Sequence, residues 1–103
     1  MELKYRPAAI KDMKDACDYI QVHLKNPTAA KSLKIKLLRG ASLLGENPFI
    51  GVSLDSRYDG FHTDLRFLVI SKHMIFYRVH EDLVEIVRIL DGRTDYLSHL
   101  LDE

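Results

Sequence analysis

The chain holds one cysteine, Cys17, and no apolar run near the ~20 residues that a membrane-spanning helix requires. A lone cysteine excludes an internal disulfide and suits a reducing compartment. Cys17 falls on an apolar helical stripe, where it serves as core filler rather than nucleophile. The opening residues, MELKYRPAAIKD, lack the apolar segment of a secretion signal, so a cytoplasmic location is expected. Excess charge is missing too. Fifteen basic residues balance fifteen acidic ones, and the global field gives no argument for nucleic acid. No histidine or cysteine pair stands at metal-ligand spacing, and there is no Walker loop, dinucleotide fingerprint or G-x-S-x-G. Neither a metal nor a cofactor is therefore expected.

What is present is enough for one domain over residues 1–103, with 47% apolar residues to build a single core. Its organising stretch is LRFLVISKHMIFYRVHEDLVEIVRIL, from Leu65 to Leu90. Three β-branched and aromatic runs, Leu65–Ile70, Met74–Val79 and Leu83–Leu90, are separated by hairpin-sized breaks and read as an antiparallel meander. The middle run is apolar on both faces, which makes it the central strand, covered on each side. If Ile70 pairs with Met74 and Val79 with Leu83, then Arg66, Arg78 and Arg88 project from one face. A slip of one residue dissolves that face.

Ahead of the meander, Glu2–Arg6 alternates as a short strand. Pro7 then opens a helix running to about Lys25, with Ile10, Met13, Cys17, Ile20 and Leu24 as its stripe. Arg6 offers that helix no capping oxygen. Asn26-Pro27 starts a second helix with a buried stripe of Ala30, Leu33, Leu37, Ala41 and Leu44, and Gly45 reads as its left-handed end. Joined so closely, the two helices form a hairpin whose apolar side must lie on the sheet. Residues 49–64 read as a loop, with an extended piece near Ser53–Arg57 and a turn at Gly60. After Asp91-Gly92-Arg93, a short helix spans Tyr96–Leu101, with Thr94 or Asp95 as its cap. The fold class is α+β, in the order β-α-α-β-β-β and a final short helix.

Charge is unevenly spread. Between Tyr19 and Gly45 there is no acid, while Lys25, Lys31, Lys34, Lys36 and Arg39 are present. Such a half either binds a partner electrostatically or forms a solvated helix face. Residues able to carry chemistry are Arg66, Arg78, Arg88, Arg93, Tyr96 and His99. Metal-free RNA cleavage needs a base, a cation on the phosphorane and an acid, which arginine with histidine or tyrosine can supply. The structural alternatives are a pair of arginines stacked on aromatics or bridged to Asp64 and Glu85, an ordinary surface His99, and a Tyr96 that packs the last helix.

RFLVISKHMIFYRV followed by EIVRILDGRTD is similar to the ParE pattern: an arginine-led strand, a turn, an I-F-Y-R strand, then V-R-I-L-x-G-R-x-D. Y-x-P-x-A before the first helix, D-Y-I near its end and N-P-x-A-A at the second agree more loosely. The chain thus resembles, over essentially its whole length, the RelE/ParE superfamily of bacterial toxins. The resemblance implies the toxin of a type II toxin–antitoxin pair, a growth inhibitor associated with plasmid stabilisation and silenced by a cognate antitoxin. The ParE branch is associated with inhibition of DNA gyrase and performs no chemistry. The RelE branch cleaves messenger RNA on the ribosome. Where the RelE type begins its middle strand with arginine, this chain has Met74. Its second arginine falls at Thr94, beside Arg93, and its C-terminal tyrosine near Leu100, beside His99.

These departures favour the ParE branch. On that reading Arg66, Arg78, Arg93, Tyr96 and His99 meet the target, and the antitoxin covers Tyr5, Ile10, Met13, Tyr19, Leu33 and Leu37. On the ribonuclease reading, Arg66, Arg93 and His99 are the catalytic set. An interaction domain without toxicity is the third class.

Overall fold

The computed structural model describes residues 1–57 and 63–101. The elements are β1 (Glu2–Tyr5), α1 (Pro7–Asp18), α2 (Pro27–Glu46), β2 (Val52–Ser53), α3 (Leu54–Arg57), β3 (Arg66–Ile70), β4 (His73–Val79), β5 (Leu83–Asp91) and α4 (Tyr96–Leu101). The expected turn at Gly60 lies outside the described residues. Five strands form one sheet in the order β1-β5-β4-β3-β2. The predicted meander is its antiparallel centre, with β4 in the middle. β1 adds to it in parallel beside β5, and the Arg6 N–H extends that ladder to the Ile86 carbonyl at 2.9 Å.

The helical hairpin lies on one face. Leu33, Leu37, Ala41 and Leu44 of α2 and Ala9 of α1 meet Ile75, Tyr77, Val84, Ile86 and Ile89 in one core. Asn26 caps α2 as expected, its Oδ1 accepting the Ala29 N–H at 3.0 Å. Gly45, expected as the left-handed end, is instead buried inside α2, which continues to Glu46. A Cβ on Gly45 would stand 3.0 Å from the Met1 carbonyl, and the chain's first amine donates to the Gly45 carbonyl at 2.9 Å. The glycine is there so that the start of β1 can pass against the helix.

The first helix also departs from expectation. After Asp18 it widens into a π-helical turn, Tyr19–His23, which inserts a residue and rotates everything beyond it by about 100°. Ala9, Met13, Ala16, Cys17 and Ile20 face the core, whereas Ile10 and Leu24, predicted in the stripe, are 52% and 59% exposed.

The sheet's other face is covered as well. Leu54, Leu65, Phe67, Met74, Phe76, Val87, Leu90 and Leu100 form a second core, with Tyr96 and Leu97 packed on it. The extended piece expected near Ser53–Arg57 is only Val52–Ser53, after which the chain makes one helical turn.

The register corrects the arginine face. Ile70 pairs with His73, not Met74, and Val79 with Val84, not Leu83. The first shift follows from a two-residue turn in which Ser71 and Lys72 both have positive φ, 49° and 67°, the geometry that matches strand twist in tight hairpins. Arg66 therefore stands across from Tyr77 on the helical side, while Arg78 alternates with Phe76 toward the other. In β5 a bulge makes Val87 an extra residue: Phe76 faces Arg88 and Tyr77 faces Ile86.

Candidate functional site

The three strand arginines are held by their own chain. Arg88 places Nε and Nη2 on the two oxygens of Asp12 in α1, at 2.7 and 2.8 Å. The Ile89 N–H also donates to Asp12, at 2.9 Å, so one carboxylate satisfies both a guanidinium and an amide beside the bulge. Arg78 donates to Asp64 at 2.8 Å, one of the two bridges considered from sequence. Glu85 pairs with His80 instead, at 3.0 Å. Arg66 donates to the carbonyls of Phe49 and Gly51, at 3.2 and 2.7 Å, with the Phe49 ring 5.3 Å from its guanidinium carbon. Its Nε is buried without a partner.

Arg93 and His99 come together elsewhere. They line a groove of about 550 Å³ with Tyr19 from the π-helical turn and His73 from the start of β4. The loop that carries Arg93 is fixed from below: the Gly92 N–H donates to the Lys72 carbonyl at 2.8 Å, and Thr94 Oγ1 to the Asp91 carbonyl at 2.7 Å. Asp91 accepts three bonds from Arg93, from the backbone N–H at 2.9 Å and from Nε and Nη2 at 3.0 and 2.7 Å. The side-chain bond to Arg93 holds the Asp91 carboxyl well below the usual carboxylate range, against the opposing effect of burial. An ionised Asp91 in turn orients a guanidinium whose side chain is 76% exposed. The groove is thus rimmed by an aimed cation, two imidazoles and a phenol.

Arg66 does not join this group. Its partner row on β4 is Tyr77, four residues beyond His73, a separation of about 13 Å along a strand. Tyr96 turns its ring to Phe76, centroids 5.5 Å apart, and so packs α4 to the sheet. Among the described residues no cluster of three His, Cys, Asp or Glu is arranged to hold a metal ion.

A second groove, about 400 Å³, runs between the helices, with Ile10, Met13, Cys17 and Ala30 inside and Lys14, Lys31 and Lys34 at its edges. Burial pushes the Cys17 thiol up, which disfavours the thiolate. Near the π-helical turn, Tyr19, Val22 and Leu24 are also exposed. Of the residues expected at an antitoxin, Ile10 and Tyr19 are thus at the surface, Met13 lines the groove and Tyr5 is half-buried. Leu33 and Leu37 are 6% and 1% exposed and belong to the core, because they form the inner stripe of α2. Asp12, His73 and Asp91 were not singled out from sequence. Only Asp91 carried a local signal, through its place before Gly92-Arg93.

The sequence profile of the ParE toxin of type II toxin–antitoxin systems, parDE, matches residues 3–96. Among solved structures, a chain of the chromosomal ParDE system of P. aeruginosa is similar, with a TM-score of 0.73 and 21% identity. That alignment covers 88% of this chain and 95% of the other. At such identity it speaks for the fold alone. No curated protein matches by sequence. No described helix is long and apolar enough to cross a membrane.

Proposed function

The chain belongs to the ParE toxin family of type II toxin–antitoxin systems, and from that premise we propose that it is a toxin acting by binding, with DNA gyrase as its target and a cognate antitoxin as its inhibitor. The observation that carries the choice is the fate of Arg66. The ribonuclease reading needs Arg66, Arg93 and His99 around one phosphate, yet Arg66 lies at the other end of the strands, its Nη2 donating to two backbone carbonyls. Electrostatic stabilisation of a phosphorane falls away when the cation is that far from the acid and base. Arg93 and His99 on an open groove suit recognition of a protein surface, where arginine acts as an anchor.

The antitoxin is assigned to the other groove. An amphipathic segment can seat apolar anchors on Ile10 and Met13 and set acidic side chains against Lys14 and Lys34. β1 is an edge strand of the sheet and offers backbone pairing to an extended stretch.

The purified protein is expected to inhibit gyrase supercoiling, to leave ribosome-bound message intact, and to lose its effect when the antitoxin is added. Arg93→Ala with His99→Ala should weaken the inhibition while the antitoxin still binds. Ile10→Asp should do the reverse. Cleavage of ribosome-bound message that disappears in the Arg93/His99 variant would overturn the binding reading.

A further inference from the structure

α2 presents its outer side to solvent along its whole length. Thr28, Lys31, Ser32, Lys36 and Arg39 lie on that side and line a shallow hollow of about 280 Å³ with Ile35. Lys31 and Arg39 are two positions of the same helical row, about 12 Å apart along the axis. Among the described residues, none of Lys25, Lys31, Lys34, Lys36 and Arg39 has an ion pair or hydrogen-bond partner. The same stretch of sequence, from Tyr19 to Gly45, holds no acid that could neutralise them. In a chain of zero net charge, this is a segregated cationic face awaiting a polyanion.

Two features choose among polyanions. The exposed apolar residues of α2, Ile35, Leu38 and Leu43, are each less than half exposed, at 39%, 37% and 41%, so an acidic amphipathic peptide finds little free apolar surface to bury there. Cations interleaved with the hydroxyls of Thr28 and Ser32 are instead the side chains that hold phosphodiester oxygens. α2 also has no aromatic residue, so it offers unstacked bases no platform, as a single-stranded RNA site would. We propose that the outer face of α2 binds the phosphate backbone of duplex DNA, without reading its sequence. This contact is separate from the Arg93/His99 groove and does not depend on what that groove binds.

Fluorescence anisotropy of the full chain with a labelled mixed-sequence duplex, across a series of salt concentrations, tests this. Binding should weaken steeply with salt, and Lys36→Glu with Arg39→Glu should weaken it at least tenfold at low salt and reduce the log–log salt slope by about two. Lys4→Glu with Lys72→Glu makes the same change in net charge elsewhere on the surface and should change affinity less than threefold. Lys36→Gln with Arg39→Gln gives a milder variant of the same face, checked for helicity by circular dichroism, and should fall between. Equal losses in the Lys4/Lys72 and Lys36/Arg39 pairs would overturn the proposal, since net charge alone would then be at work. So would no binding to duplex DNA, tighter binding to a single-stranded RNA of equal length, or binding of poly-glutamate in place of DNA.

Discussion

Arg66, Arg78 and Arg88 on the sheet each hold a partner from their own chain, whereas Lys31, Lys36 and Arg39 on α2 hold none among the described residues. The difference is one of position. A guanidinium on a central strand is half-buried by its neighbours and must be compensated locally. A cation on the outer side of a covering helix stays in water and costs the fold nothing. Sequence draws attention to the strand arginines because they interrupt apolar runs, yet those are the ones the fold consumes. The helix cations, ordinary in sequence, are left for others.

The sharpest way to break this contrast is at Arg88. Arg88→Ala leaves the Asp12 carboxylate, 11% exposed at the side chain, with the Ile89 N–H as its remaining partner among the described residues, and should cost about 3–5 kcal/mol. Urea unfolding measures it. Replacing the pair together, Arg88→Met with Asp12→Leu, should recover much of the loss, because no buried charge remains. A cost below about 1 kcal/mol for Arg88→Ala, the range of exposed pairs, would place Arg88 with the helix cations instead.

Next in size is the support of the loop that holds Arg66. The Gly51 N–H donates to the Tyr77 hydroxyl at 3.0 Å inside the core. A side chain on Gly51 would collide with that hydroxyl and with the Phe67 carbonyl. Tyr77→Phe strands a buried N–H, and should cost about 1–3 kcal/mol in a thermal or urea melt. Lys36→Glu with Arg39→Glu should stay within about 0.5 kcal/mol of the parent. Equal losses at the two places would erase the distinction between arginines that build the fold and cations that only ride on it.

How much of this was legible in the sequence follows from how far each cause reaches along the chain. The inner stripe of α2, the Asn26 cap and the double coverage of β4 depend on neighbours a few residues away, and all three were read correctly. The hairpin register was not, because Ser71-Lys72 takes up left-handed geometry without the Asn-Gly or Asp-Gly that advertises it. Gly45 looked like a helix end for lack of any sign that Met1 passes over it. The partner of Arg88 lies 76 residues away, and only the parallel placement of β1 beside β5 brings α1 over it. The set expected to meet the target is therefore scattered: Arg93 lines one groove with His99 and another with Tyr96, whose ring packs on the second core, while Arg66 and Arg78 serve the far end of the sheet.

Arg93 is the intermediate case, paired like a strand arginine and exposed like a helix cation. Its partner Asp91 has a carboxyl pKa lowered in the fold chiefly by the side-chain bond to Arg93. A group shifted down in this way contributes stability that is present above its unfolded value, about 3.9, and is lost as pH falls through the folded value. Any contribution therefore fades only at the acid end, and neutral pH leaves it intact. The effect on global stability should be small, since an exposed guanidinium is well screened. The titration itself is the readout. Followed by carboxyl-carbon NMR, Asp91 should remain ionised well below the usual carboxylate range, and Arg93→Ala should return it to that range or above, because burial then acts unopposed by that bond. An Asp91 titration unmoved by Arg93→Ala would mean that the carboxylate is not what aims Arg93 across the groove. Asp91→Asn would then leave target binding unchanged, rather than weakening it by loosening the cation.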